Sequence, residues 1–180
     1  MHPMTESNLH NAYAGESMAH MRYLIFAAKA EREDFKNTAR LLRAIAFAEQ
    51  VHATNHFMRM PRTAAPMSGE APFGVGTTSQ NLQYAIDGET FEINEMYPVY
   101  KETALFQGEK VVVTSFDWAL QTEKVHQKLF MDAKAMVDQG KDWKESKVQI
   151  CETCGYTIEG DAPDKCPICG AKKEGFREFA

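Results

Sequence analysis

The first 140 residues carry one helical hairpin written twice. Residues 15–23 read GESMAHMRY and residues 88–97 read GETFEINEMY, so each copy opens on Gly-Glu followed by Ser or Thr. Each is followed by Glu-x-x-His, EQVH at 49–52 and EKVH at 123–126. From Glu16 to Glu49 is 33 residues, and from Glu89 to Glu123 is 34. The stretches around these motifs are rich in Ala, Leu, Glu, Lys, Gln and Met, which favour helix. They predict four long helices, at about 7–33, 36–60, 79–107 and 109–139. Short turns at 34–36 and at Gly108 make antiparallel neighbours within each copy, and Gly140 suits a helix stop. The Pro- and Gly-rich stretch 61–78 is too long for a hairpin turn and predicts a crossover, with the second and third helices parallel.

The repeated carboxylates set the chemistry. Residues three apart on a helix share a face. Glu49 and His52 can therefore point at one spot, as can Glu123 and His126, on faces that also carry Leu42, Ile45, Phe116, Leu120 and Phe130. A carboxylate on an apolar face is costly to bury unless something neutralises it. Several together repel, and two divalent cations supply the missing charge. Four glutamates (Glu16, Glu49, Glu89, Glu123) and two histidines form the ligand set of a di-iron or di-manganese four-helix bundle. For any one glutamate, a solvated surface is the ordinary explanation. The repeated register of the set argues against it.

Three features break the repeat. Glu92 has no counterpart on the first helix, where Ala19 stands, and lies three residues past Glu89 on the same face. A site whose charge rises on oxidation gives this fifth carboxylate a reason as a redox-dependent ligand. Pro98 falls inside the third helix, where it removes one backbone donor and predicts a kink. His20 and His56 follow Glu16 and His52 by one turn without counterparts, which suits supporting or surface roles; His2 and His10 read as solvated.

All four cysteines fall in CETCGYTIEGDAPDKCPICG, residues 151–170. Net charge of −5 without a basic patch argues against nucleic acid. The polar start MHPMTESNLH has no apolar core of a signal peptide. No stretch approaches the roughly 18 apolar residues of a membrane helix. The expected setting is therefore cytoplasmic and reducing, where paired Cys-x-x-Cys motifs are metal ligands rather than disulfides. Cys151, Cys154, Cys166 and Cys169 offer a tetrahedral S₄ site for zinc or iron. Gly155 and Gly170 after the knuckles would let backbone N–H groups approach the thiolates. Iron is favoured because a one-electron carrier has work to do beside an electron-consuming site, although zinc could fill it in recombinant protein. The chain then divides into a bundle at 1–140, a linker at 141–147 and a small metal module at 148–180.

Taken together, AGESMAHMRY, AEQVH, DGETFEINEMYP, EKVH and the CETCGY and CPICG knuckles resemble the rubrerythrin family, in order and over nearly the whole chain. The resemblance implies a mainly α fold, a ferritin-like four-helix bundle with a small rubredoxin-like β module. It implies a di-iron site held by Glu16, Glu49, His52, Glu89, Glu92, Glu123 and His126, and one iron on the four cysteines. It implies a non-haem peroxidase reducing hydrogen peroxide in oxidative-stress defence, with Glu92 and His52 exchanging on one iron and Tyr23 and Tyr97 bonding near the site. Electrons would come from rubredoxin or an NAD(P)H-dependent reductase, commonly passing between subunits of a head-to-tail homodimer. Rival readings are ferritin-like iron oxidation and storage, a dioxygen-consuming oxidase, and a zinc-ribbon interaction module on an inert bundle.

Overall fold

The computed structural model describes residues 1–60, 74–144 and 147–180. Among the described residues, five α-helices precede three short strands: α1 Pro3–Arg32, α2 Lys36–Phe57, α3 Thr78–Phe91, α4 Tyr97–Phe106, α5 Lys110–Val137, β1 Val148–Cys151, β2 Thr157–Glu159 and β3 Phe176–Phe179. A π-helical turn, Glu92–Met96, joins α3 to α4, so the single third helix of the sequence reading is two helices with a bulge between them.

The helix ends show what local sequence can and cannot set. Pro3 stands in the first turn of α1, where a missing N–H costs nothing. The helix starts a turn earlier than expected because its first residues are tied to the α4–α5 corner. The backbone N–H of His2 donates to Glu109 Oε1 at 2.9 Å, and that of Thr5 to Gln107 Oε1 at 3.2 Å. Thr77 caps α3 in a reciprocal box with Gln80. The N-terminus of α2 is capped from far away: Asp142 accepts from the backbone of Asn37 at 2.7 Å and of Thr38 at 3.0 Å. Such a cap contributes about 1 kcal/mol. Next to it, Trp143 is buried in the main core. The expected linker at 141–147 thus anchors the bundle through its first half, and residues 145–146 lie outside the described set.

Two apolar clusters fill the bundle, one above and one below a polar layer. The upper holds the end of α1 (Phe26, Ala30), the start of α2 (Leu41, Leu42, Ile45), the start of α3 (Leu82) and the end of α5 (Phe130). The lower holds Leu9 of α1, Tyr97 and Ala104 of α4, and Val112 and Phe116 of α5. α2 and α3 therefore run in the same direction, as the long connection predicts. Most of that connection, 61–73, lies outside the described residues.

The strands form one antiparallel sheet in the order β2-β1-β3. β1 is buried throughout, and Val148 and Ile150 join the same core as the upper bundle. Phe179 of β3 meets Phe47 of α2 at 5.8 Å, with the Arg177 guanidinium 4.6 Å above the Phe47 ring. The module sits on its own chain's bundle through hydrophobic surface rather than hanging from a tether.

Candidate metal centre

The polar layer between the clusters is the candidate site. Glu16 and Glu123 are fully buried, as is His126, and Glu49, His52 and Glu89 are exposed by only 1%. Two sets of four donors each lie within 4.8 Å of one another: Glu16, Glu49, His52 and Glu123, and Glu49, Glu89, Glu123 and His126. Glu49 and Glu123 belong to both, the arrangement expected of carboxylates that bridge two ions. His52 Nδ1 lies 2.9 Å from Glu123 and 3.0 Å from Glu49; His126 Nδ1 lies 2.7 Å from Glu123 and 3.4 Å from Glu49.

The outer nitrogens of both histidines are held by the cysteine module. His52 Nε2 faces the Cys154 carbonyl at 3.1 Å and Thr122 Oγ1 at 2.9 Å. His126 Nε2 faces Thr157 Oγ1 at 2.9 Å, and that hydroxyl donates in turn to the Gly155 carbonyl at 3.1 Å. With Nε2–H engaged outward, it is Nδ1 of each ring that faces the carboxylates; a cation bound there would take the place of the Nδ1 proton, as in metal sites whose histidines are oriented from behind. The tyrosines cross between the repeats. Tyr23 of α1 donates to Glu89 of α3 at 2.7 Å, while Tyr97 of α4 donates to Glu16 of α1.

This crossing depends on the π turn. Tyr23 follows Glu16 by seven residues and Tyr97 follows Glu89 by eight. The extra residue is the same one that makes the second repeat 34 rather than 33 long. A π turn accommodates one added residue within a helix, so Tyr97 regains the face that Tyr23 occupies in the other half. Pro98 sits at the start of α4, just past the bulge. The irregularity expected from Pro98 is thus present, displaced one turn toward the site. Glu92 opens the bulge. It is half-buried and close enough to feel Glu16, Glu123 and Glu49, but belongs to neither set of four.

The electrostatics ask for cations. Burial, then the charges of Glu123 and Glu49, push Glu16 up to about 8. Burial and neighbouring carboxylates likewise raise Glu89 and Glu92 well above the usual range. Burial also opposes the ionisation of Glu49, but His126 and His52 outweigh it and hold Glu49 low. Burial pulls the imidazoles down, yet the carboxylates win and raise His126 to about 9. Protons thus do part of the neutralising, and still Glu16 Oε2, Glu49 Oε1, Glu89 Oε2, both Glu123 oxygens and His126 Nδ1 lack a well-aligned hydrogen bond, although His126 Nδ1 and Glu123 lie only 2.7 Å apart. Buried polar atoms are rarely left so. Four carboxylates and two inward imidazole nitrogens fit two divalent cations, and the orphaned atoms are the ones that would bind them.

The second centre is local. Sγ atoms of Cys151 and Cys169 lie 3.5 Å apart, as do those of Cys154 and Cys166. A tetrahedral ion about 2.3 Å from each sulfur needs nearly this spacing. Gly155 and Gly170 take left-handed φ of +83° and +77°. Their own N–H groups bond the carbonyls of Cys151 and Cys166, at 2.9 and 3.0 Å. It is the next amides, of Tyr156 and Ala171, that reach the sulfurs of Cys154 and Cys169. The glycines turn the chain so that the following residue can donate, which refines the sequence expectation.

Of the remaining histidines, His2 is exposed and His10 half-buried, and half-buried His20 bonds the Ala46 carbonyl through Nδ1 at 2.6 Å. His56 is fully buried beside Tyr97. Its place one turn past His52 was the available signal. Thr122 and Thr157 carried none, because only the packing of α5 and the module brings them to the imidazoles.

A four-helix bundle with this carboxylate–histidine layer and a tetracysteine module defines a ferritin-like di-iron protein with a rubredoxin-like tail. The rubrerythrin family pattern matches residues 7–134, and the pattern of the rubrerythrin rubredoxin-like domain matches residues 149–177. Rubrerythrin-2 of Clostridium acetobutylicum is 47% identical over 178 residues, 98% of this chain and 97% of that protein. Nigerythrin of Nitratidesulfovibrio vulgaris is 31% identical over 97% of this chain and 86% of its own. A structure of the fully reduced, all-ferrous state of nigerythrin superposes with a TM-score of 0.86 at 31% identity, over 97% of this chain and 86% of that one. The chain belongs to the rubrerythrin family.

Proposed function

We propose that the protein is a peroxidase that reduces hydrogen peroxide to water, with electrons entering through the cysteine centre. The observation that carries this reading is the contact between the two centres: His52, at the bundle site, faces the carbonyl of Cys154, a cysteine of the second site, at 3.1 Å. A one-electron centre placed against a buried two-cation site suits a reaction that consumes electrons in pairs. Iron storage gives such a tail no task.

Reduction of one peroxide takes two electrons and two protons, breaks the O–O bond and yields two waters. A ferrous pair held in this layer would supply those two electrons and the Lewis acidity that polarises the bond. The chain does the rest. Glu49 and Glu123 are shared by both donor sets and hold the two positions together. Glu16, Glu89, His52 and His126 close the ends, and Tyr97 and Tyr23 fix the carboxylates of Glu16 and Glu89. Glu92, outside both sets in this structure, is the carboxylate available to answer a rise in site charge, in exchange for His52. Glu92 sits on a π turn, whose loosened hydrogen-bond ladder gives its side chain room to move.

Reductant would come from a rubredoxin or an NAD(P)H-linked reductase, in a reducing cytoplasm where the four thiols stay free for metal. Among the described residues no helix is long and apolar enough to cross a membrane. The protein would work as a homodimer. Because the module already lies on its own chain's site, a head-to-tail partner is not required to bring the centres together.

Stopped-flow mixing of fully reduced protein with peroxide, and separately with dioxygen, tests the activity. The expected result is fast, stoichiometric oxidation by peroxide and slow oxidation by dioxygen; the reverse order supports iron oxidation and storage instead. Cys154→Ser or Cys169→Ser should abolish turnover with an external donor and spare a single turnover of chemically reduced protein.

A further inference from the structure

The two tyrosines that mirror each other across the site are backed differently. His56 is fully buried, with its ring against Phe116 at 5.3 Å. Its Nε2 lies 3.0 Å from the Tyr97 hydroxyl and its Nδ1 lies 2.8 Å from Ser115 Oγ. A phenol has one proton, and Tyr97 gives it to Glu16. Toward His56 the phenol oxygen can only accept, so Nε2 carries a hydrogen whether the ring is neutral or charged. Burial, with His52 and Arg59 nearby, keeps the imidazole neutral. The bare Nδ1 then accepts from Ser115, and the chain of donors runs one way, from Ser115 through His56 and Tyr97 to Glu16.

The other half has no such chain. His56 follows Glu49 by seven residues, and the residue seven past Glu123 is Phe130. Ser115 precedes Glu123 by eight, and the residue eight before Glu49 is Leu41. The polar pair of one repeat is thus an apolar pair in the other. The Tyr23 ring meets Phe130 edge-on at 5.2 Å, and among the described residues its hydroxyl has Glu89 as its one hydrogen-bond partner.

We propose that His56, held by Ser115, is a positioning residue that makes Tyr97 the stronger hydrogen-bond donor of the pair and thereby renders the two metal positions unequal. A hydroxyl that accepts a hydrogen bond becomes a better donor. A stronger bond to Glu16 draws charge from that carboxylate, so an ion on the Glu16 side has a less donating ligand than one on the Glu89 side. By this bond alone, an ion held on the Glu16 side would be the easier of the two to reduce, acting against any extra carboxylate that Glu92 would bring to the same side. The inference rests on the di-iron reading and is independent of which oxidant the site consumes.

The test is a redox titration of iron-loaded protein followed by Mössbauer spectroscopy, which resolves the two bundle irons. Wild type should show two separated one-electron steps. His56→Phe, which copies the other half, should bring the steps together by up to about fivefold in relative electron affinity, the size of one neutral hydrogen bond, or about 40 mV. His56→Gln, which can still donate to Tyr97, should restore part of the separation. In a Tyr97→Phe background, His56→Phe should change nothing. An unchanged separation in His56→Phe with both irons bound overturns the proposal, as does a shift that persists without the Tyr97 hydroxyl. Should His56→Phe fail to fold, ¹⁵N NMR of zinc-loaded wild type decides. A hydrogen on Nε2 and a bare Nδ1 that loses its donor in Ser115→Ala supports the chain; a hydrogen on Nδ1 alone refutes it. Failure of the peroxide experiment above leaves these readouts intact, so the two failures are distinguishable.

Discussion

The two metal centres are built in opposite ways. The bundle centre draws its donors from positions as far apart as Glu16 and His126, each on a long helix and each fixed by apolar packing above and below. The tetracysteine centre draws all four donors from one short stretch; Cys151, Cys154 and Cys166 are buried and Cys169 half-buried, with Tyr156, Ile168 and Phe176 against them. In the first, a folded scaffold holds charges that need cations. In the second, the metal is most of the scaffold, since about 30 residues cannot bury a self-sufficient core. The bundle should therefore tolerate an empty site, and the module should not.

Metal removal breaks or upholds this contrast most directly. Stripping all metal should leave helical circular dichroism nearly intact, with protons on Glu16 and its neighbours replacing cations. Amide protection in 148–180 should collapse. A module that keeps its protection without metal would show that docking on α2, not the ion, holds it.

The next largest effect concerns the seam. A Cβ on Gly155 would lie 2.2 Å from His52 Nε2, on a backbone with φ +83°. Gly170 has a similar φ of +77° with nothing within 4 Å. Strain in this region costs roughly 1–3 kcal/mol at either position, but only Gly155→Ala should push the module off His52. Turnover with an external donor should fall by about tenfold or more, or about 1.4 kcal/mol of barrier, in Gly155→Ala and much less in Gly170→Ala. Equal losses in both variants would place the whole effect inside the module.

Glu92→Ala acts within the bundle alone. It should keep the fold and two irons, slow peroxide turnover and favour reaction with dioxygen. Structures of reduced and oxidised protein with Glu92 turned away from the site in both states would remove it from the ligand set. The smallest effect is at Glu33, which accepts from the backbone and hydroxyl of Thr78 at 2.8 and 2.6 Å and so steadies the helix that carries Glu89. The Lys29 ammonium and Thr78 hold Glu33 down at about 2, against its usual 4.5. A depressed carboxylate stabilises the fold above its unfolded value, and the contribution fades as pH falls from about 4.5 to about 2. Glu33→Gln should melt slightly below wild type near pH 7, and the gap in Tm should close through that window.

Much of this was legible in the sequence because helices turn spacing into direction. Glu49 and His52, or Glu123 and His126, share a face by arithmetic alone, and the four cysteines announce their site by proximity in the chain. The π turn left its trace too: one residue more between Glu89 and Tyr97 than between Glu16 and Tyr23. Recognising it needs the requirement that both tyrosines face the same layer, which only the packed bundle imposes. Asp142 capping α2, Thr157 behind His126 and Ser115 behind His56 are contacts between segments distant in sequence, and no local pattern marks them. The early start of α1 belongs with these, since Gln107 and Glu109 hold it from another corner of the molecule.

The seating of both site histidines on one turn of the module has a consequence for maturation. His52 leans on Cys154, and His126 leans on Thr157, which bonds Gly155. A chain whose tail has not yet acquired its ion lacks the surface against which those imidazoles are set, so an unfinished protein presents an unfinished site. Zinc in the tail would pass this inspection by shape while conducting nothing. On the proposed function, a mismetallated chain of that kind would be assembled correctly and would fail only when asked for its second turnover.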